Sequence, residues 1–288
     1  MADGLLKTLA SLLDDGAVPW SAISQKQRRV LQPLLDASVL ARERSGAGER
    51  LIVENREVLR RFAVQRYPSG LSEAIAADQH RAALSPVDGV QHFRDAKRGA
   101  QQADVLLIRG GPDSSIRCDG VEIPVGQLTA TAGAAAVVLT THRRVSVEGT
   151  LAIIENQTAF LHAEDLGVTF DVALYGRGRL SGRVIEWLAS PAMQQAELLH
   201  CPDYDPVGVQ EYQKLWARCG SRVQLYCPSD LEDLLQRYGK RSLYRDNRAL
   251  LSSMDDAPPR AKTVAHLLMH YGCGLEQEVL IKQGRGQW

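Results

Sequence analysis

Four short apolar runs recur in the C-terminal half of the chain: Leu151 to Ile154, Phe170 to Tyr175, Ala196 to His200 and Arg222 to Tyr226. Each is followed by a turn or a polar loop, and amphipathic stretches at helical spacing, Gly182 to Leu188 and Val207 to Ala217, fall between them. Runs this short, bounded by turn residues, read as strands. Strands separated by helices cannot pair as tight hairpins, so they are expected to lie parallel and to be joined by crossovers. The expected class is α/β: a mostly parallel sheet flanked by helices, with polar chemistry gathered where the strands end at their carboxyl edge.

The N-terminal part reads differently. Leu5, Leu6, Leu9, Leu12 and Leu13 share a helical face, with Asp3 placed to cap it. Ser24 can cap a second periodic stretch through Val30, Leu31, Leu34 and Leu35. Val39 to Arg44 and Glu49 to Val53, joined by Gly46-Ala47-Gly48, read as a hairpin. Helix, helix and hairpin in that order suggest a winged helix, a module that puts a helix in a DNA groove and its wing on phosphates. Both of its exposed elements are basic, with Lys26, Arg28 and Arg29 on the helix and Arg42, Arg44 and Arg50 on the wing. Residues 25 to 66 hold ten Lys/Arg against five Asp/Glu. Such cations serve either as phosphate contacts or as an ordinary solvated face. Because the whole chain balances 34 Lys+Arg against 34 Asp+Glu, a polyanion has to be held by a local patch of this kind.

Between these parts lie short strands, Asp104 to Ile108, Ile116 to Cys118 and Val121 to Ile123, the last two joined by Asp119-Gly120, the signature of a type I′ turn. Ala132 to Leu139 reads as a helix or strand of small residues. The expected domains are therefore a winged-helix region at 1–75, a linker with a small β element at 76–149, and an α/β domain at 150–288. Acidic residues at Asp3, Asp14 and Asp15 argue against a signal peptide, and the longest apolar run, Ala134 to Leu139, falls far short of the ~20 residues that cross a bilayer. Five cysteines without a C-x-x-C pair read as reduced thiols, so a cytoplasmic location is expected.

Acidic residues stand at the expected sheet edge. The first run stops at Glu155-Asn156 and the third at Asp203-Tyr204-Asp205-Pro206. Neighbouring parallel strands bring such carboxylates together, and hard oxygen donors suit Mg²⁺ or Mn²⁺. The same Asp-x-Asp-Pro pattern also reads as an Asx-turn or a helix N-cap. The second run ends in a glycine-rich turn, Tyr175 to Gly182, carrying Arg177 and Arg179. Its G-x-G-x-x-x-G spacing departs from the dinucleotide fingerprint, leaving a phosphate-approaching turn or a plain loop. Glu276 and Glu278 follow an apolar helix from Val264 to Met269. His266 and His270 are four apart but lack the Glu of a H-E-x-x-H site, and neither a G-x-S-x-G elbow nor a Walker A loop is found.

Taken in order, Ile154-Glu155-Asn156-Gln157-Thr158-Ala159-Phe160, Tyr175-Gly176-Arg177-Gly178, Pro202-Asp203-Tyr204-Asp205-Pro206-Val207-Gly208 and Leu275-Glu276-Gln277-Glu278 resemble the Toprim domain of type IIA and type VI topoisomerases, primases and related nucleases. More narrowly, the set is similar to the JetD (MksG-type) nuclease subunits of Wadjet SMC plasmid-defence systems, relatives of the topoisomerase VI A subunit. The resemblance covers roughly residues 150 to 280 and implies a C-terminal Toprim domain behind an N-terminal winged helix. It departs from the family where Cys201-Pro202 precede Asp203, a position where the family tends to have Gly-Asp, and in its shorter chain. It implies a metal-dependent DNA endonuclease in which Glu155, Asp203 and Asp205 hold Mg²⁺ or Mn²⁺. Glu155 would complete the metal shell or act as general base, and Glu276 or Glu278 would finish the site. It further implies a homodimer acting on double-stranded DNA with condensin-like SMC, kleisin and accessory subunits. Two alternatives stand beside it: a non-catalytic DNA-binding or scaffold subunit with a degenerate Toprim domain, and a topoisomerase VI A-like transesterase using Tyr67, the one tyrosine in the first hundred residues.

Overall fold

The computed structural model describes residues 3–46, 48–252, 254 and 256–281. The chain divides into two units, Met1–Gln102 and Ala103–Trp288. Among the described residues no helix is long and apolar enough to cross a membrane.

In the first unit α1 (Gly4–Asp15) leads through β1 (Ala17–Pro19) and a 3-10 turn (Trp20–Ala22) to α2 (Gln25–Asp36). The strands β2 (Leu40–Ser45) and β3 (Gly48–Val53) follow, then α3 (Arg56–Arg66), α4 (Leu71–Gln79) and α5 (Pro86–Phe93). Local signals set these boundaries. The Asp3 carboxylate accepts the N–H groups of Leu5 and Leu6, and Ser24 and Gln27 form a reciprocal capping box at the start of α2. The three strands form an antiparallel sheet in the order β1-β3-β2, with Leu40 opposite Val53 and Ser45 opposite Gly48; Ala47, at the tip of this hairpin, lies outside the described residues. Leu6, Leu9, Leu12, Leu31, Leu51 and Leu59 are buried together and make the core of the unit.

The second unit begins with β4 (Ala103–Gly110), β5 (Ile116–Cys118), β6 (Val121–Ile123), α6 (Val125–Ala132), β7 (Ala135–Thr140) and β8 (Val145–Ser146). It continues through β9 (Gly149–Ile154), α7 (Gln157–Leu161), β10 (Val172–Tyr175), α8 (Gly182–Ala189), β11 (Ala196–Cys201), α9 (Pro206–Cys219) and β12 (Val223–Leu225). The helices α10 (Leu231–Tyr238), α11 (Arg241–Arg245) and α12 (Pro259–Tyr271) complete it. Six strands form a mixed sheet in the order β12-β11-β9-β10-β4-β7. The four strands expected from the apolar runs are parallel to one another, while β4 pairs antiparallel with both β10 and β7. Leu151, Ala152, Ile153 and Ile154 are all buried, as a strand covered on both faces requires.

The segment 76–149 does not stand apart as a linker. Residues 76–102 belong to the first unit, and 103–149 to the second. The physical reason is visible in β7, where Ala135, Val137 and Leu139 are buried and Val138 is exposed. Such alternation needs one covered face, and the strand obtains it by joining the sheet edge. Ala132–Leu139 thus resolves into the end of α6 and the strand β7. The small β element is also present, as a sheet β6-β5-β8, with Asp119 and Gly120 at φ 53° and 83° in the turn between β5 and β6.

Candidate carboxylate site

The strands β9 and β11 pair in parallel with Ile154 opposite Cys201, so they end in step. Glu155 and the Pro202-Asp203 segment therefore emerge side by side. The Glu155 N–H donates to the Cys201 carbonyl at 3.2 Å, and the Asp203 N–H donates to Glu155 Oε2 at 3.3 Å. Asn156 caps α7 by accepting the N–H groups of Thr158 and Ala159. Asp205 caps α9, its Oδ1 accepting the Gly208 N–H at 2.7 Å. Gly208 is needed there, because a Cβ would sit 2.1 Å from the Asp203 carbonyl oxygen. The N-cap reading of the Asp-x-Asp-Pro pattern thus holds for Asp205, while Asp203 is turned to a different partner.

That partner comes from the C-terminal segment. Tyr204 and Leu275 exchange backbone hydrogen bonds at 2.9 Å, which brings Gln277 under the strand ends. Gln277 is fully buried. Its N–H donates to Asp203 Oδ1 at 2.8 Å, its Nε2 donates to the Cys201 carbonyl at 2.8 Å, and its Oε1 accepts the Asn156 N–H at 3.2 Å. Asn156 Nδ2 in turn donates to Glu278 Oε1 at 2.7 Å, while Glu278 Oε2 is buried without a hydrogen-bond partner among the described residues. Glu276 instead forms an ion pair with Lys240. Of the two C-terminal carboxylates, Glu278 is the one built into the strand-end network.

Crowded, partly dehydrated carboxylates resist ionisation. Burial pushes Glu155 up to about 8, and the charges of Asp203, Asp205 and Glu211 add to this against the opposing hydrogen bond from the Asp203 N–H. Burial likewise raises Asp203 to about 6, with Asp205, Glu278 and Glu276 contributing and the Gln277 N–H opposing. Asp205 is raised by burial, against the N–H groups of Gly208 and Val207 and the charge of Arg179. Glu155 is therefore mostly protonated at pH 7 when nothing cationic faces it.

Glu211 on α9 was not legible as a site residue. It is buried, receives Lys214 Nζ at 2.7 Å and lies 3.8 Å from Arg179 Nε. Its only sequence signal is Lys214 one turn later, which any surface helix can show. The glycine-rich turn packs on the same place: the N–H groups of Gly176 and Gly178 donate to the carbonyls of Ile154 and Glu155 at 2.7 and 3.3 Å. Arg177, at φ 54°, is exposed, and the exposed Arg179 is tied to Glu211. Among the described residues no three His, Cys, Asp or Glu side chains already stand as a ligand set for a metal ion.

The cations expected to touch DNA lie in the first unit and divide into two groups. Arg28 and Arg42 each place their guanidinium 4.4 Å from the centre of the Trp20 ring. Arg28 also donates to the Trp20 carbonyl at 2.9 Å, and Arg42 pairs with Glu49. Both are engaged in holding α2 and the hairpin to the turn that carries Trp20. Lys26, Arg29, Arg44 and Arg50 are exposed. Tyr67 is buried; its hydroxyl donates to Asp3 Oδ2 at 3.0 Å, and Asp3 is bridged to Arg98 at 2.6 Å. Burial and the Asp3 charge push its phenol well above the ordinary range.

No protein-family model matches this chain, and a search of curated proteins finds no match to it.

Proposed function

We propose that the chain is a Toprim-type DNA endonuclease dependent on Mg²⁺ or Mn²⁺, with an N-terminal winged helix, serving as the nuclease subunit of a condensin-like SMC plasmid-defence complex. The carrying observation is the pairing of Glu155 and Asp203 at the carboxyl ends of adjacent parallel strands, locked together through Gln277. The strand order β1-β3-β2 behind α1 and α2 supports the winged-helix reading of the first unit.

The donor set suits a hard divalent cation. It consists of carboxylate oxygens, burial with the added charge of its neighbours holds Glu155 near 8, and it includes a buried oxygen on Glu278 without a partner among the described residues. Glu155, Asp203 and Asp205, with Glu278, would hold the ion. Bound there, it would supply Lewis acidity and a lowered pKa for attacking water. Beside a bound cation Glu155 would favour its ionised form, and would then either complete the metal shell or accept a proton as general base. Gln277 orients Asp203, and Glu211 tethers Arg179, which with Arg177 would meet the phosphodiester. A double-strand break needs two such sites, so the proposal includes a homodimer matched to duplex symmetry. It also includes kleisin and accessory partners and a cytoplasmic location.

The test is cleavage of supercoiled plasmid with Mg²⁺ or Mn²⁺, by the chain alone and with its SMC partners and ATP. Glu155→Gln and Asp203→Ala should each lower the rate by about 10³-fold or more, and EDTA should abolish it. Cutting that survives both substitutions, or silence of the wild type in both settings, overturns the proposal.

A second reading rests on a specific observation: Glu155, Asp203 and Asp205 each use one oxygen to accept a backbone N–H. Carboxylates spent in this way suit a degenerate site in a DNA-binding or scaffold subunit. Retained DNA binding with no measurable Mn²⁺ binding would select it. The Tyr67 transesterase is disfavoured, because the phenol is buried and committed to Asp3.

A further inference from the structure

The first unit contains a concave cationic feature that the hairpin reading does not use. A cavity of about 1150 Å³ lies among the start of α2, the end of α3 and the segment after α5, and Lys26, Arg66, Arg81, Arg94, Lys97 and Arg98 line it. Two carboxylates face it, Asp3 and Asp95. Asp3 is bridged to Arg98, and Asp95, whose Oδ1 accepts the Lys97 backbone N–H, keeps its charge, so the cations in the lining outnumber the carboxylates six to two. Phe62 is half-buried at the cavity, Tyr67 and Phe93 are buried behind its lining, and the Arg98 guanidinium lies 4.4 Å from the Phe93 ring centre. Arg98 Nη1 is buried and makes no hydrogen bond among the described residues.

The cavity continues. A second one of about 710 Å³ runs along α3, and the two share Phe62, Gln65 and Arg94 as a common wall. Arg60 and Arg61 extend the cations along it, each paired loosely with Glu57 at 3.4 and 3.9 Å. Together the two cavities exceed the roughly 300–1,000 Å³ of a small-molecule pocket, so an elongated ligand fits better than a compact one. Spaced cations beside the half-buried Phe62 ring suit a single nucleic-acid strand: phosphates follow the charges and a base stacks on the ring. A duplex keeps its bases paired and would leave the Phe62 ring unused.

We propose that this groove binds single-stranded nucleic acid. Its basis is independent of the carboxylate chemistry in the second unit, and it moves the principal phosphate-binding surface of the first unit away from the hairpin, whose Arg42 is engaged with Trp20 together with Arg28 of α2.

The experiment is fluorescence anisotropy of the full chain in EDTA with a labelled 20-nucleotide strand and with the corresponding duplex. EDTA removes cleavage from the measurement, so failure here and failure of the nuclease reading are distinguishable. Arg66→Glu/Arg94→Glu/Lys97→Glu should weaken single-strand binding at least tenfold and flatten its salt dependence. Arg44→Glu/Arg50→Glu should weaken duplex binding by a larger factor than single-strand binding. Lys97→Glu alone, at an exposed lysine, should give a loss of roughly threefold and guards against misfolding of the triple variant. Ultraviolet crosslinking of a bromouracil-substituted strand to the wild type should map to the peptide containing Phe62. Absence of single-strand binding, an unaffected triple variant, or crosslinks confined to the hairpin would each overturn the proposal.

Discussion

The two units handle charge in opposite ways. In the first, the cations of α2, the hairpin and the groove are largely exposed, and folding leaves most of them in water. In the second, Glu211 is buried, and Glu155 and Asp203 are dehydrated enough to titrate well above the usual carboxylate range. Exposed cations cost a fold little and can attract a polyanion from a distance. Gathered carboxylates destabilise the fold that holds them, so their persistence at two strand ends is an argument for use. The contrast also separates how each site is held. In the first unit short-range caps start the helices and Asp3 reaches on to Tyr67 and Arg98, whereas the carboxylate site relies on contacts such as Gln277 with Asp203 and Asn156, 74 and 121 residues away in sequence.

The strongest way to break this comparison is to remove that long-range clamp. Gln277→Ala deletes the bonds to the Cys201 carbonyl and the Asn156 N–H while retaining the backbone N–H that meets Asp203. The half-buried Asn156 N–H loses its partner, the Cys201 carbonyl keeps only the Glu155 N–H, and a cavity opens, so a loss of about 2–4 kcal/mol is expected in urea unfolding, together with loss of cleavage. Lys97→Ala, on the exposed wall of the groove, should stay within about 0.5 kcal/mol. A Gln277→Ala cost below about 1 kcal/mol would show that the strand ends are held by the sheet alone.

A second test uses pH, because the two units are expected to respond with opposite sign. Glu155 and Asp203 have folded-state values raised to about 8 and about 6, so the native state binds more protons than the unfolded chain. Their contribution is harmless at low pH and becomes destabilising as pH rises through the ordinary carboxylate range towards 8. Asp3 behaves in the reverse way: burial pulls it upward, but Arg98 and Tyr67 outweigh that and lower it. Its stabilisation is present above the ordinary Asp value and is lost as pH falls below it. Without divalent cations, Glu155→Gln should raise Tm at pH 8 by several degrees and leave it unchanged near pH 4.5, at ~2–4 °C per kcal/mol. Mg²⁺ added to the wild type should act in the same direction. An equal effect of Glu155→Gln at both pH values would remove the repulsion argument.

What the sequence showed and what it hid follow the same division. Asp3, Ser24, Asp119-Gly120 and the run Leu151–Ile154 were legible, because a cap, a turn and a doubly covered strand are each written in a few neighbouring residues. The convergence of Glu155 and Asp203 followed from parallel pairing, once β9 and β11 were known to be neighbours. Antiparallel β4 and β7 were not legible as sheet members, since their partners lie far away in the chain and their periodicity fits any half-covered strand. Gln277 and Glu211 were hidden for a related reason: a neutral amide or a lone helical carboxylate acquires a role only from what packs on it. Arg28 and Arg42 were legible as basic, but their shared partner Trp20 was not.

The smallest expected effect sharpens the local side of the comparison. Ser24 Oγ accepts the Gln27 N–H at 3.3 Å, and Gln27 Oε1 accepts the Ser24 N–H at 2.7 Å. Gln27 Nε2 also donates to Thr8 Oγ1 at 3.0 Å, which ties the cap of α2 to α1. Ser24→Ala removes only the first of these bonds, at an exposed position where water replaces it in part. A loss of about 1 kcal/mol is expected, with Ser24→Gly costing a few tenths, because glycine keeps the extended cap geometry and leaves the N–H open to solvent. Hydrogen exchange of the α2 amides should report this loss while β9 and β11 exchange as in the wild type. Faster exchange in β9 and β11 as well would mean that the two units unfold as one cooperative body, and that the contrast between local caps and a long-range clamp does not extend to their stability.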